Sequence, residues 1–348
     1  MKILITGGCG FLGSNLAASY LEEDAEIIIV DALFRTGGEE NLEWLQSVAK
    51  QRQLTFYRSD LADETSVEDV FQRHAPFDFI CHVGGQVAMT TSMSDPRRDL
   101  RTNILGTFNV LEAMRRHSPN AFLAYSSTNK VYGDLEALRY GETETRYTLL
   151  DYPDGLDEIL PLDFASPYGC SKGAADQYVH DWKRNFDVQT VVFRHSSIYG
   201  GRQFATVDQG WIGWFCGKAL DQRENRSIRK LSISGSGKQV RDVLHADDLV
   251  RLYRNAYAHR DRIAGEVFNI GGGMTNSLSL LELFNKLAEM LNMGEVIFSS
   301  GPARKSDQRV FVADVRKATK LLEWSPKVNV LHGLERMLEW IKSSRTNG

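Results

Sequence analysis

Short apolar runs alternate with amphipathic stretches through the first half of the chain, the rhythm of βαβ units built on a parallel sheet. Lys2 to Thr6 reads as a buried strand, followed by a glycine turn from Gly7 to Gly13. Helical spacing then runs through Leu16, Tyr20 and Leu21. Further strands are expected at Glu26 to Val30, closed by Asp31, and at Leu54 to Tyr57, Phe77 to His82, Ala121 to Tyr125 and Gln189 to Phe193. Ile104, Phe108, Val110, Leu111 and Met114 mark a mostly buried helix from Asn103 to His117.

The second half is less regular. Gly200 to Gly237 is rich in glycine, aromatic and polar residues, as a substrate-facing segment would be. Glu266 to Ile270 reads as a strand before three glycines, and Ser277 to Leu291 as a helix capped by Asn276 or Ser277. A last helix is expected over roughly Val330 to Ile341. The polar stretch 134–165 lacks periodicity, and loops of that length in compact domains are usually lids or binding loops.

Composition narrows the class. The 348 residues carry 41 basic and 45 acidic side chains, a net charge of -4, which argues against nucleic-acid binding through bulk charge. No apolar run approaches the ~20 residues needed to span a bilayer, and no signal-peptide pattern follows the first residues. Cys9, Cys81, Cys170 and Cys216 are widely spaced, with neither a metal-binding pair nor a disulfide framework. The expectation is a cytoplasmic protein with no metal, nucleic-acid or membrane partner.

Gly7, Gly10 and Gly13 follow a strand and open a helix, and Asp31 closes the next strand. Missing Cβ atoms let a pyrophosphate approach the backbone, where the helix N-terminus offers unpaired N–H groups. Asp31 can accept from ribose hydroxyls and repels a 2′-phosphate, which favours NAD; Arg35 keeps NADP open, since it could pair with that phosphate. Asp60 and Leu61 after the third strand, and Gly84 and Gln86 after the fourth, fit the same ligand.

Tyr168 and Lys172 stand four residues apart in a helix started by Ser166 and Pro167, and so share one face. A lysine ammonium beside a phenol favours the phenolate, and a nicotinamide's positive charge adds to it. Lowering a phenol from about 10 to near 7 takes roughly 4 kcal/mol. Such a tyrosine can take a proton from a sugar hydroxyl. Thr128, in the hydroxyl cluster after the fifth strand, is the candidate second hydrogen-bond partner of the reacting oxygen.

Together these motifs resemble the extended short-chain dehydrogenase/reductase superfamily, and within it the NAD-dependent epimerases and dehydratases of nucleotide sugars. The likeness also runs through His82 to Ser94, Gly141 to Arg146, Phe193 to Phe215, Gly235 to His245 and Arg304 to Asp314, and there it points to 2-epimerases of CDP-linked hexoses. It implies a Rossmann-type doubly wound α/β sheet with a smaller mixed α/β substrate-binding domain. The implied division is 1–196 and 240–272 for NAD, and 197–239 and 273–348 for the nucleotide sugar. Tyr168 would be the catalytic acid/base, Lys172 its activator and Thr128 the hydroxyl partner. Gly7, Gly10, Phe11, Leu12, Gly13, Asp31, Asp60, Leu61, Gly84, Gln86, Asn103, Ser126, Tyr168, Lys172 and His195 would hold NAD. Thr128, Ser197, Arg202, Gln203, Gln209, Arg241 and Arg304 would hold the substrate, with the last two arginines on its diphosphate.

Related 4,6-dehydratases place Asp-Glu directly after the threonine, whereas this chain has Asn129 and Lys130, which disfavours dehydration. The implied reaction is transient oxidation at C2 of CDP-paratose, giving CDP-tyvelose, or of a close CDP-hexose such as CDP-glucose. A 4-epimerase, a net dehydrogenase and a non-catalytic NAD-binding sensor are the alternatives. A homodimer or homotetramer is implied as well.

Overall fold

The computed structural model describes residues 1–224, 230–303 and 307–346. Seven strands form one sheet, ordered Val267–Ile270, Gln189–His195, Phe122–Thr128, Phe79–His82, Lys2–Thr6, Glu26–Asp31 and Leu54–Arg58. All neighbours are parallel. Because the chain starts in the middle and winds outward both ways, the order reverses between Lys2–Thr6 and Phe79–His82. A crevice opens there at the carboxyl ends of the strands.

Period-two alternation gives each strand two buried faces. Ile3, Ile5, Ile27, Ile29, Phe79 and Phe193 join one core, under the helices Phe11–Leu21 and Ala246–Ala258. Leu4, Ile28, Ile80, Leu123 and Val192 join the other, under Glu64–His74, Gly106–His117 and Ser166–Phe186. A third core gathers Ile212, Leu283, Leu287, Leu334 and Met337 from the helices Trp211–Arg223, Leu280–Met290 and Val330–Thr346, with Tyr199 from the strand Ser197–Tyr199. Above the cleft, Val240–His245 pairs in parallel with Ser197–Tyr199 and Val310–Phe311, and antiparallel with Ser277–Ser279. The helix Arg316–Leu322 returns to the first core through Ala318 and Leu322.

Three local expectations change. Ser277–Ser279 is strand rather than helix, because its backbone pairs with Val240–Asp242; the helix starts at Leu280. Its cap is Ser279, whose Oγ accepts from the Glu282 N–H while the Glu282 carboxylate accepts from the Ser279 N–H. The helix expected from Asn103 starts at Gly106, after a π-turn over Leu100–Leu105. Within the polar stretch 134–165, Tyr140–Glu142 and Tyr147–Leu149 form a small hairpin. Among the described residues, no helix is long and apolar enough to cross a membrane.

Candidate active site

One cleft of about 740 Å³ follows the carboxyl edge of the sheet and continues under the second lobe. Its floor is the glycine turn. A Cβ on Gly13 would lie 2.2 Å from the Gly7 carbonyl oxygen, and one on Gly7 would lie 2.5 Å from Gly84 Cα. Gly7 is also left-handed, at φ +67°. Only glycine allows backbones this close, and the closeness sets the helix Phe11–Leu21, capped by Gly10, with its first N–H groups toward the cleft.

Asp31 closes one wall. Its carboxylate accepts from the Cys9 N–H at 2.9 Å and the Leu33 N–H at 2.8 Å, so it shapes the turn it adjoins. Burial pushes its pKa up, and these backbone donors pull it back. Asp60 accepts from the Ala62 N–H at 3.0 Å, which turns the chain so that Leu61 packs against Gly84. The glycine cradle, the helix end and an acid at the tip of the second strand suit an adenine dinucleotide, and they meet on one crevice.

The expected reacting groups lie further along. Tyr168 and Lys172 project from the helix Ser166–Phe186. Ser166, at φ +67°, opens it, and its Oγ accepts the Gly169 N–H at 3.2 Å, while Ala165 holds the cap position. Lys172 Nζ donates to the Ser126 carbonyl at 2.5 Å and stands 4.2 Å over the Tyr125 ring. Burial pushes Tyr168 up to about 12, with a hydrogen bond from Thr128 pulling the other way. Burial likewise pushes Lys172 down to about 7, opposed by Asp176 and Asp99.

Burial therefore outweighs the expected lowering of the phenol. The low-dielectric pocket penalises both charged forms, and the ammonium is turned to a carbonyl and a ring face. The remaining cation would have to come from the oxidised pyridinium ring itself.

Twenty of the expected site residues line this cleft. They are Gly7, Gly10, Phe11, Leu12, Gly13, Asp31, Asp60, Leu61, Gly84 and Gln86, then Ser126, Thr128, Tyr168, Lys172, His195, Ser197, Arg202, Gln203, Gln209 and Arg241. Asn103 does not line it. Its Oδ1 accepts from the Gln86 N–H at 2.8 Å, and its Nδ2 donates to the Gln86 carbonyl and to Ser171 Oγ. The Gln86 amide is committed too, donating to Asp99 Oδ1 at 2.7 Å. Arg202 is clasped to the helix Gly38–Val48, donating to Asn41 Oδ1 and the Glu40 carbonyl and lying over the Trp44 ring. His195 is buried beside Lys172 with neither ring nitrogen hydrogen-bonded, and its pKa falls to about 3, which keeps it neutral. Arg304 lies outside the described residues.

Sequence reasoning missed Asp307, Arg98, Phe34 and the lining use of Lys130. Lys130 follows Thr128 and Asp307 lies in the stretch 304–314, yet nothing in their spacing brings the two together; Arg98 and Phe34 belong to no local motif. Among the described residues no cluster of His, Cys, Asp and Glu could hold a metal ion.

A dinucleotide crevice with a buried Tyr-Lys pair and a hydroxyl partner at its mouth defines an NAD-using enzyme of the short-chain dehydrogenase/reductase type. The model of the NAD dependent epimerase/dehydratase family matches residues 3–271, and the chain belongs to that family. It is an NAD-dependent epimerase. It is 53% identical over 343 residues to the CDP-paratose 2-epimerase of Salmonella typhi, covering 99% of this chain and 100% of that one. It is 29% identical over 365 residues to the dTDP-glucose 4,6-dehydratase of Neisseria meningitidis, covering 99% and 94%. Among solved structures, the UDP-glucuronic acid 4-epimerase from Bacillus cereus, in complex with UDP-glucuronic acid and NAD, superposes with a TM-score of 0.82. That structure is 26% identical, with 99% of this chain and 100% of that one covered.

Proposed function

We propose that this chain inverts C2 of a CDP-linked hexose, CDP-paratose to CDP-tyvelose or a close analogue such as CDP-glucose to CDP-mannose. The observation that carries the reading is the 53% identity to the Salmonella typhi enzyme along the full length of both chains. Asn129 and Lys130 support it. The Asn129 amide donates to Gln308 Oε1 at 2.8 Å and Lys130 pairs with Asp307, so neither offers the carboxylate that eliminating water would use.

The geometry supports the following roles. The Tyr168 oxygen takes the proton of the 2-hydroxyl, and the Thr128 hydroxyl steadies that oxygen by a second hydrogen bond. Lys172 orients the pair from Ser126 and adds positive charge when protonated. When bound, NAD supplies a reversible acceptor for the carbon-bound hydrogen and its electron pair. Gly7, Gly10, Gly13 and the helix start would hold its pyrophosphate, Asp31 its adenosine ribose, and Ser126 and His195 would lie by its other end. C2 is oxidised directly, because in a 3-deoxy sugar a 4-ketone acidifies C3 and C5 but not C2. After the ketone turns over, Tyr168 returns its proton to the 2-oxygen. Ser197, Gln203 and Gln209 would line the sugar pocket, with Arg241 and Arg304 on the diphosphate.

We assign the cofactor to 1–196 and 240–272 and the sugar nucleotide to 197–239 and 273–348. The helix Arg316–Leu322, within 273–348, packs its Ala318 and Leu322 into the first unit's core. We also propose a cytoplasmic homodimer or homotetramer. Free thiols at all four cysteines suit a reducing compartment. Phe108, Tyr178 and Phe186 are exposed together on two neighbouring helices, which supports self-association. Incubation with CDP-paratose and with CDP-glucose, followed by chromatography of the products, tests the reaction. Formation of the C2 epimer is expected. Recovery of C4 epimers alone, or net accumulation of NADH, would overturn the reading.

A further inference from the structure

The cleft carries a charged cluster of which the steps above use only Arg241. Lys130 Nζ lies 3.7 Å from Asp307 Oδ1, and Arg241 Nη2 donates to the same oxygen at 2.8 Å. The three side chains are 14–24% exposed and all face the cleft. Asp307 lies between the two cations, and Asp134 also acts on Lys130. Burial and the adjacent Arg241 push Lys130 down to about 8, against the pull of Asp307 and Asp134, so its ammonium gains from a further anion.

The place of this cluster along the chain matters. Lys130 is two residues beyond Thr128, and its N–H donates to Thr128 Oγ1 at 3.3 Å. The Thr128 hydroxyl in turn lines the same cleft as Tyr168 and pulls its pKa down. A cation is thus built onto the strand end that presents the partner of the reacting oxygen. In a nucleotide sugar the diphosphate is attached at C1. C2 is the next carbon, whereas C4 lies across the ring. A base acting on the 2-hydroxyl must work with the sugar-linked phosphate close beside it, while one acting at C4 holds that phosphate a ring's width away.

We propose that Lys130, together with Arg241, binds the sugar-linked phosphate and thereby sets C2, not C4, against Tyr168. Asp307 holds the two cations in place until the phosphate arrives. The inference rests on the C2-epimerase reading and names the residue that fixes its register. Lysine suits the role because its point charge meets a phosphate oxygen without demanding the planar geometry of a guanidinium.

Calorimetric titration of the NAD-loaded protein with CDP and with CMP tests it, because only CDP carries the second phosphate. For Lys130→Met, CDP should bind at least tenfold more weakly while CMP stays within twofold, and Lys130→Arg should restore most of the difference. Asp307→Asn keeps both cations and removes the competing carboxylate, so CDP should bind several-fold more tightly. Unchanged CDP affinity in Lys130→Met, or an equal loss for CDP and CMP, overturns the proposal. Should Lys130→Met not fold, unchanged or weaker CDP binding in Asp307→Asn overturns it instead. Failure of the wild-type protein to invert C2 of either CDP-sugar would defeat the underlying reading. C2 inversion by the wild type with normal CDP binding in Lys130→Met would defeat the phosphate assignment alone.

Discussion

Replacing Asp176 with asparagine tests how the reacting groups are held. Asp176 is fully buried, one turn beyond Lys172 on the same helix. It accepts from Ser127 Oγ at 2.7 Å, from Arg194 Nε and Nη2 at 2.9 Å each, and from Gln177 Nε2 at 3.0 Å. Ser127 lies between Ser126, whose carbonyl receives Lys172, and Thr128, which pulls the Tyr168 pKa down. One carboxylate therefore ties the catalytic helix to the tips of two strands. An asparagine keeps a single acceptor oxygen and turns its amide toward a donor, leaving the buried Arg194 guanidinium uncompensated. Breaking a buried ion pair from one side costs about 3–5 kcal/mol. The bond from Arg194 Nη1 to the Tyr132 hydroxyl, at 3.0 Å, survives and places the expectation near the lower end. Urea unfolding should show a loss of about 3 kcal/mol. Displacing the reacting groups by about an ångström should lower kcat by roughly 10²-fold. The double variant Asp176→Leu/Arg194→Met removes both charges and should recover most of the stability but not kcat. Unfolding within about 1 kcal/mol of wild type together with an unchanged kcat would refute the bracket.

Three further outcomes are expected. Tyr168→Phe should lower kcat by about 10²–10⁴-fold yet keep NAD, measured as nucleotide released on denaturation; turnover close to wild type would remove the acid/base assignment. Gly13→Ala puts a methyl group 2.2 Å from the Gly7 oxygen and should lose bound NAD, read from the same release assay. Asp242 is buried with its pKa raised to about 6, so the folded state holds its proton more tightly than the unfolded chain and this contribution to stability fades as pH rises from about 4 to 6. Its Oδ2 receives both the Gly273 and Ala313 N–H groups, so one amide oxygen can replace it. Asp242→Asn should flatten the dependence of Tm on pH in that window, and an unaltered slope would contradict the assignment.

What the sequence reveals here is local chemistry. The strand Lys2–Thr6, its glycine turn and Asp31 are legible because the spacing of glycines and one acid is itself the structure. Tyr168 and Lys172 are legible because four residues make one helical face. The segment Ser277–Ser279 misleads, since its own propensity suits a helix cap but pairing with Val240–Asp242 holds it as strand. The Lys130–Asp307–Arg241 cluster joins residues up to 177 apart, and the fold alone assembles it. The pKa directions of Tyr168 and Lys172 run against the simple pairwise argument because burial, absent from sequence spacing, is the largest influence on each.

Turnover of CDP-paratose in deuterium oxide, with the epimerised product read by proton NMR, tests the central claim most directly. Tyr168 handles only the oxygen-bound proton, whereas the hydrogen on C2 would leave and return on bound NAD without meeting water, so the product should hold no deuterium at C2. Deuterium at C2 would mean that carbon itself was deprotonated, and the account of a phenol working beside a dinucleotide would be wrong.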